Sequence, residues 1–295
     1  MSNLAVRILF AVVAIPVAFL CLWWNDISRF ALVCFMCGAG AWEWTRMVSQ
    51  KFEGPKVMLA VAPVATVALV LAWAFGSGRF FGDFFHVSAV PGLVGFVAML
   101  VMIVYMVVAY VKIPVATLFP WWTLQLGAPL YLGLWGGLNV LLLGSGHGLE
   151  HSYRFIIVMV SMWVCDTFAY FVGKFVAGRG VFGKHPMAPE ISPKKTWEGF
   201  MGGVVFTVLW FMLWTTGGVY EVFECARWEA ILVGILLSVA GQAGDLLMSA
   251  LKRWTGTKDS SHIFPGHGGV LDRMDSLFFA GPISVLLLWF LRGGV

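Results

Sequence analysis

Asp245, Asp272 and Asp275 bracket a short polar run that also holds Lys252, Arg253, Lys258, Asp259 and Arg273. Carboxylate oxygens suit a hard cation such as Mg2+. Clustered Lys and Arg suit phosphate oxygens. Together they are the equipment of phosphoryl-type transfer, in which the protein mostly positions groups and neutralises charge. Asp245, Ser249 and Lys252 recur at i, i+4 and i+7 and share one helix face. Asp272 and Asp275 open the next apolar segment at i, i+3, with Arg273 beside them. Gly266-His267-Gly268-Gly269 can bring backbone close to a ligand. His262 and His267 stand alone, so no zinc site is offered. Neither a G-x-x-x-x-G-K-[ST] loop nor a kinase Gly-rich loop is present. No Ser-His-Asp or Cys-His set appears either.

A second group of polar residues lies upstream. Asp166, Tyr170 and Gly173 or Lys174 share one helix face, with Asp166 well inside an apolar run. A buried acid there needs a cation, a metal or a proton, or serves as a structural hydrogen-bond acceptor. The following loop ends in Ser192-Pro193-Lys194-Lys195-Thr196-Trp197-Glu198-Gly199. Ser192 is positioned to cap a helix beginning at Pro193. The amides of that helix start, with Lys194, Lys195 and Thr196, offer a phosphate site. The competing reading is a basic anchor for anionic lipid heads.

These groups have to be positioned by a strongly apolar chain. The 295 residues are 60% hydrophobic and 12% charged, with a mean hydropathy of +0.87. That excludes an ordinary soluble domain and predicts an all-α integral membrane protein. The net charge of +4 names no partner by itself, and no nucleic acid is expected. Nine segments reach the roughly 20 residues needed to cross a bilayer. They lie near 5–24, 27–47, 57–76, 89–111, 115–143, 153–177, 198–219, 228–252 and 274–292. The first reads as a retained span rather than a cleaved signal. The fifth, rich in Pro and Gly, reads as kinked, tilted or broken. With nine spans, all Lys and Arg except Arg29, Arg79, Arg154, Arg227 and Arg292 fall on the N-terminal side. The positive-inside rule then puts the N-terminus and both polar loops in the cytoplasm and the C-terminus outside.

Residues 1–150 read as a transmembrane scaffold and 151–295 as the catalytic region of one continuous membrane domain. Glu43, between Trp42 and Trp44, is either functional or a snorkelling, locally paired carboxylate. His147, Glu150 and His151 read as a solvated loop, as do Asp83 and His86. Cys34-x-x-Cys37 reads as two small hydrophobes rather than a metal or redox pair.

The run from Ser249 to Asp275 resembles the signature of the CDP-diacylglycerol synthase (phosphatidate cytidylyltransferase) family. That pattern is S-x-x-K-R-x4-K-D-x5-P-x-H-G-G-x-x-D-R-x-D, and every fixed position is filled. Asp166…Tyr170…Gly173, Ser192–Gly199 and Gln242-x-Gly244-Asp245-Leu246 are also similar, so the resemblance covers roughly residues 160–280. It implies attack of phosphatidate on the α-phosphate of CTP, a divalent metal on Asp245 and Asp272, a monovalent cation beside it, and a homodimer in the inner (cytoplasmic) membrane. On the residue reading, Lys194, Lys195, Lys252, Arg253, Lys258 and Arg273 would bind the phosphates of CTP and phosphatidate. Asp166, Asp259 and Asp275 would complete the polar network or hold a cation, and His267, Gly268 and Gly269 would shape the nucleotide loop. Rival readings are a CTP-dependent enzyme acting on another lipid, an ion-coupled transporter, and an inactive scaffold.

Overall fold

An apolar chain in hydrocarbon must satisfy its backbone hydrogen bonds within each segment, which favours the helix. The computed structural model follows that rule and describes residues 3–52, 56–76, 90–113, 115–179, 183–216 and 226–292. Asp83 and His86 lie outside the described residues. Among those described, the α-helices are α1 (Asn3–Trp24), α2 (Asp26–Lys51), α3 (Met58–Gly76), α4 (Val90–Lys112), α5 (Val115–Ala128), α6 (Tyr153–Phe175), α7 (Trp197–Thr216), α8 (Arg227–Trp254) and α9 (Leu271–Arg292). Each apolar segment of the sequence is therefore helical, with ends shifted by a few residues.

Among the described residues, five stretches are long and apolar enough to cross a membrane: Val6–Trp24, Met58–Phe75, Leu149–Phe175, Arg227–Trp254 and Leu271–Leu291. The chain is thus a multi-pass, predominantly helical membrane protein. Leu93–Val108 and Trp197–Leu213 are shorter apolar stretches. The helix α2 has the length but carries Asp26, Arg29, Glu43, Arg46 and Lys51.

The fifth segment is broken, as its composition suggests. The helix α5 stops at Ala128 and continues as a π-helix (Pro129–Trp135) and a 3-10 helix (Gly136–Leu142). Pro129 cannot donate to the ladder, and Gly136 and Gly137 hold a helix weakly. Gly133 lies close enough to α3 that a Cβ would come 2.9 Å from Thr66 O.

One local expectation is overturned. The sequence places a helix start at Pro193 with Ser192 as its cap. Instead β1 (Pro186–Ala188) pairs antiparallel with β2 (Ser192–Thr196), and the helix begins at Trp197. Proline's fixed φ also suits an extended edge strand, and pairing with residues 186–188 decides for the strand. The cap is Thr196, whose hydroxyl accepts from Gly199 N at 3.1 Å, the usual N-cap to N3 bond. This hairpin is the strand content of the described residues.

Packing divides the chain into two units. The first comprises Met1–Ser152 with Trp254–Met274. In it α2 buries Phe30, Val33, Met36, Ala41, Trp44 and Met47. Arg29 is fully buried, pairs with Asp26 at 2.9 Å, and donates to the carbonyls of Leu22, Gly146 and Gly148. The second comprises Tyr153–Arg253 with Asp275–Val295. There Gly203 and Gly241 allow close helix approach. A Cβ on Gly203 would come 3.0 Å from Cys165 Sγ, and one on Gly241 would collide with Met162 Sδ. Phe168 of α6 stacks on Phe206 of α7 with centroids 3.6 Å apart.

Candidate functional site

In the first unit, the polar run is built onto one face of α2. Glu43, Met47 and Lys51 stand at i, i+4 and i+8, so they line up along the helix. Lys51 Nζ donates to Trp254 O at 2.7 Å and sits 4.0 Å from the Trp254 ring. Thr257 Oγ1 lies 3.5 Å from Met47 Sδ. Two turns deeper, the fully buried Glu43 accepts four bonds. Its Oε1 takes Ser261 Oγ at 2.5 Å and Val270 N at 2.9 Å. Its Oε2 takes Ser260 Oγ at 2.9 Å and Leu271 N at 2.8 Å. The two amides belong to the start of α9, where backbone donors have no partner within the helix and the dipole favours a negative charge.

Asp272 is held in the same unit. Its Oδ2 accepts from Ser260 N at 2.8 Å and Gly269 N at 2.9 Å, with Ser260 Oγ 3.0 Å away. Gly268 has φ +83, a conformation that side chains resist. A Cβ on Gly269 would collide with Ser260 Oγ and Glu43 Oε1. The glycines therefore permit close approach to the protein's own carboxylates. Phe264 and Gly268 form a narrow turn, with Phe264 N bonded to Gly268 O at 2.9 Å. His267 packs beside Phe10, ring centroids 5.5 Å apart, and Arg273 Nε donates to His267 O at 2.8 Å. Lys258, Asp259 and Arg273 are exposed.

In the second unit, Asp245 Oδ2 is ion-paired with Lys195 Nζ at 2.7 Å. Asp245 Oδ1 accepts from Ser249 Oγ at 3.2 Å, as their shared helix face requires. Asp275 is buried, accepts from Ser276 N at 2.9 Å, and has Asp245, Lys252 and Asp166 as the charged neighbours that act on it. Asp245, Lys195, Asp275, Lys252 and Asp166 are thus brought together. Asp166 itself is exposed, not buried as its place in an apolar run suggested. Tyr170 is also exposed and accepts from Lys174 Nζ at 2.8 Å.

The hairpin contributes more than Lys195. Arg253 Nε at the end of α8 donates to Ile191 O at 3.3 Å. Glu198 takes the His185 ring at 2.6 Å. Lys194 is exposed and Ser192 half-buried. Thr196 is buried and serves as the cap, its hydroxyl accepting from Gly199 N.

Glu43 is the residue that sequence reasoning left undecided. The available signal was a carboxylate deep in a helix, which demands partners. Those partners lie 217 to 228 residues away, beyond any local pattern. Glu150 and His151, within a further short 3-10 helix (Leu149–Ser152), approach to 3.7 Å. Among the described residues no three His, Cys, Asp or Glu form a group that could hold a metal ion.

A family model described as the cytidylyltransferase family matches residues 5–291. A phosphatidate cytidylyltransferase of Pseudomonas aeruginosa is 33% identical over 302 residues, covering 96% of each chain. One of Aquifex aeolicus is 41% identical over 137 residues, 46% of this chain and 48% of that one. One of Bacillus subtilis is 42% identical over 142 residues, 48% of each chain.

Proposed function

The chain belongs to the cytidylyltransferase family, and on that premise we propose that it makes CDP-diacylglycerol and pyrophosphate from CTP and phosphatidate. The observation that carries this is the family match over nearly the whole chain. The complete Ser249–Asp275 pattern agrees with it. A phosphate oxygen of phosphatidate attacks the α-phosphorus of CTP, and the bond from that phosphorus to the β-phosphate oxygen breaks, releasing pyrophosphate. A phosphate monoester is already anionic at neutral pH, so the reaction needs no Ser-His-Asp or Cys-His set.

The residue roles follow from charge and placement. Lys194, Lys195, Lys252, Arg253, Lys258 and Arg273 are assigned to the phosphates. Asp245 and Asp272, with Asp275, would hold Mg2+, which supplies charge neutralisation on the phosphate oxygens. Mg2+ is usually held by one or two carboxylates plus substrate phosphates rather than by an all-protein cage, so carboxylate donors are the type it takes. Lys195 beside Asp245 shows a carboxylate that already takes a cationic partner. Asp166 and Asp259 are assigned to the surrounding polar network or a second, monovalent cation. His267, Gly268 and Gly269 are assigned to the nucleotide loop, and Ser192, Thr196 and Tyr170 to substrate binding.

The apolar segments support nine spans, and with nine spans the distribution of basic residues supports a cytoplasmic N-terminus, an external C-terminus and a site on the cytoplasmic face. The scaffold role of residues 1–150, the catalytic role of 151–295 and a homodimer belong to the same proposal.

The test is radiolabel transfer from CTP to lipid by the purified full-length protein with Mg2+. Phosphatidate should be the accepted lipid, against polyprenyl phosphate and ether-lipid acceptors. Asp245→Asn and Asp272→Asn should each bring product to background while the protein still inserts. Near-normal turnover in either variant would sink the metal assignment. Turnover only with another acceptor would replace phosphatidate.

A further inference from the structure

We propose that Glu43 is a positioning residue for the segment Lys258–Asp272, so that α2 sets the shape of the phosphate-handling loop. The inference rests on reading the chain as a CTP-dependent transferase. Glu43 binds both ends of the segment at once: Ser260 and Ser261 at its start, Val270 and Leu271 at its close. A carboxylate has about four acceptor sites. Each oxygen of Glu43 takes two donors, so its capacity is filled by the loop alone.

The link from Glu43 to Asp272 runs through Ser260. Its hydroxyl lies 2.9 Å from Glu43 Oε2 and 3.0 Å from Asp272 Oδ2, yet carries a single proton. Asp272 Oδ2 already accepts two backbone amides, so the proton goes to Glu43. Glu43 thereby fixes the Ser260 side chain, and the Ser260 amide fixes Asp272. Gly269 closes the same cage, since any Cβ there would strike both Glu43 and Ser260. At the mouth of the loop, Lys51 and Met47 on the same α2 face hold Trp254 and Thr257. A buried carboxylate without donors is costly, so loop and helix each require the other.

A loop held this way loses geometry before it loses the fold, and misplacement by about 1 Å can cost on the order of 100-fold in rate. The test uses full-length protein in detergent, with Glu43→Gln and Ser261→Ala. Glu43→Gln keeps the volume but presents an amide group to donors; Ser261→Ala removes one donor and leaves the carboxylate. With CTP and phosphatidate, kcat/KM per folded protein should fall about 100-fold in Glu43→Gln and roughly fivefold in Ser261→Ala. Hydrogen exchange without substrate should speed up in the peptides covering 257–272 and stay unchanged in α6 and α7. If Glu43→Gln stays within about threefold of wild type in kcat/KM, or if exchange rises equally throughout the chain, the positioning role is overturned. If wild type itself fails to use CTP, the transferase reading fails, and the exchange pattern still decides whether Glu43 organises the loop.

Discussion

Replacing Lys195 by Met, Asp245 by Asn, and both together tests the geometry of the second unit. Nζ and Oδ2 are 2.7 Å apart and their side chains are 25% and 28% exposed. At an effective dielectric of about 20, two unit charges at that distance attract by roughly 6 kcal/mol. Desolvation of both groups and the entropy of holding the lysine offset most of that, leaving a net coupling of about 1–2 kcal/mol. Reversible denaturant titration of the four proteins gives the coupling as a double-mutant cycle. Each single variant should lose stability because it strands a half-buried polar partner, and the double variant should lose less than the sum. Activity should divide differently. Asp245→Asn falls to background, Lys195→Met falls about 100-fold in kcat/KM for CTP, and the double variant does not recover. A coupling below about 0.5 kcal/mol, the usual error of additivity, would refute the ion pair. Full turnover by Asp245→Asn would refute its place in the site.

Thr196→Ala should cost about 1 kcal/mol by removing the α7 cap. Thr196→Ser should restore it in the same titration. Gly269→Ala forces a methyl into Ser260 and Glu43, so it should break one or two bonds to a charged group at about 1.5–3 kcal/mol each. Both stability and CTP turnover should show it. Arg29→Met leaves the carbonyls of Leu22, Gly146 and Gly148 without their donor. It should lose about 3–5 kcal/mol, as broken buried charge networks do. Its activity per folded molecule should be unchanged, which circular dichroism with a parallel turnover assay checks.

The parts legible in the sequence were those written in local pattern. Runs of apolar residues placed every helix, and Pro129 with Gly136 and Gly137 marked the break in the fifth. Spacing put Asp245 and Ser249 on one face, and they are in contact. Parts settled by distant contacts were not legible. Ser192-Pro193 carries the marks of a helix start, but the partner strand at Pro186–Ala188 overrides them. Glu198 pairs with His185, a partner no local pattern points to. Asp166 looked buried because its neighbours along the chain are apolar; burial depends on neighbours in space, and its face of α6 is open. Glu43 could not be assigned because both its partner segments lie in the far half of the chain.

That last case changes what the polar run is. Read alone, Ser249–Asp275 is a loop crowded with charges of both signs. In the first unit these signs are sorted. The acid Glu43 faces inward and is saturated by the loop's own amides and hydroxyls, and one oxygen of Asp272 accepts two of the loop's amides. Lys258 and Arg273 are exposed, with Arg273 tethered to His267 O by Nε. A carboxylate core that consumes the backbone donors fixes the loop, and the cations at its rim then meet solvent from fixed positions. Preorganised positive charge of this kind gains most against an anion and needs little rearrangement when one arrives. On the proposed reading, the buried Glu43 is thus a condition for the basic rim to bind phosphate well, and α2 positions the loop that carries this rim.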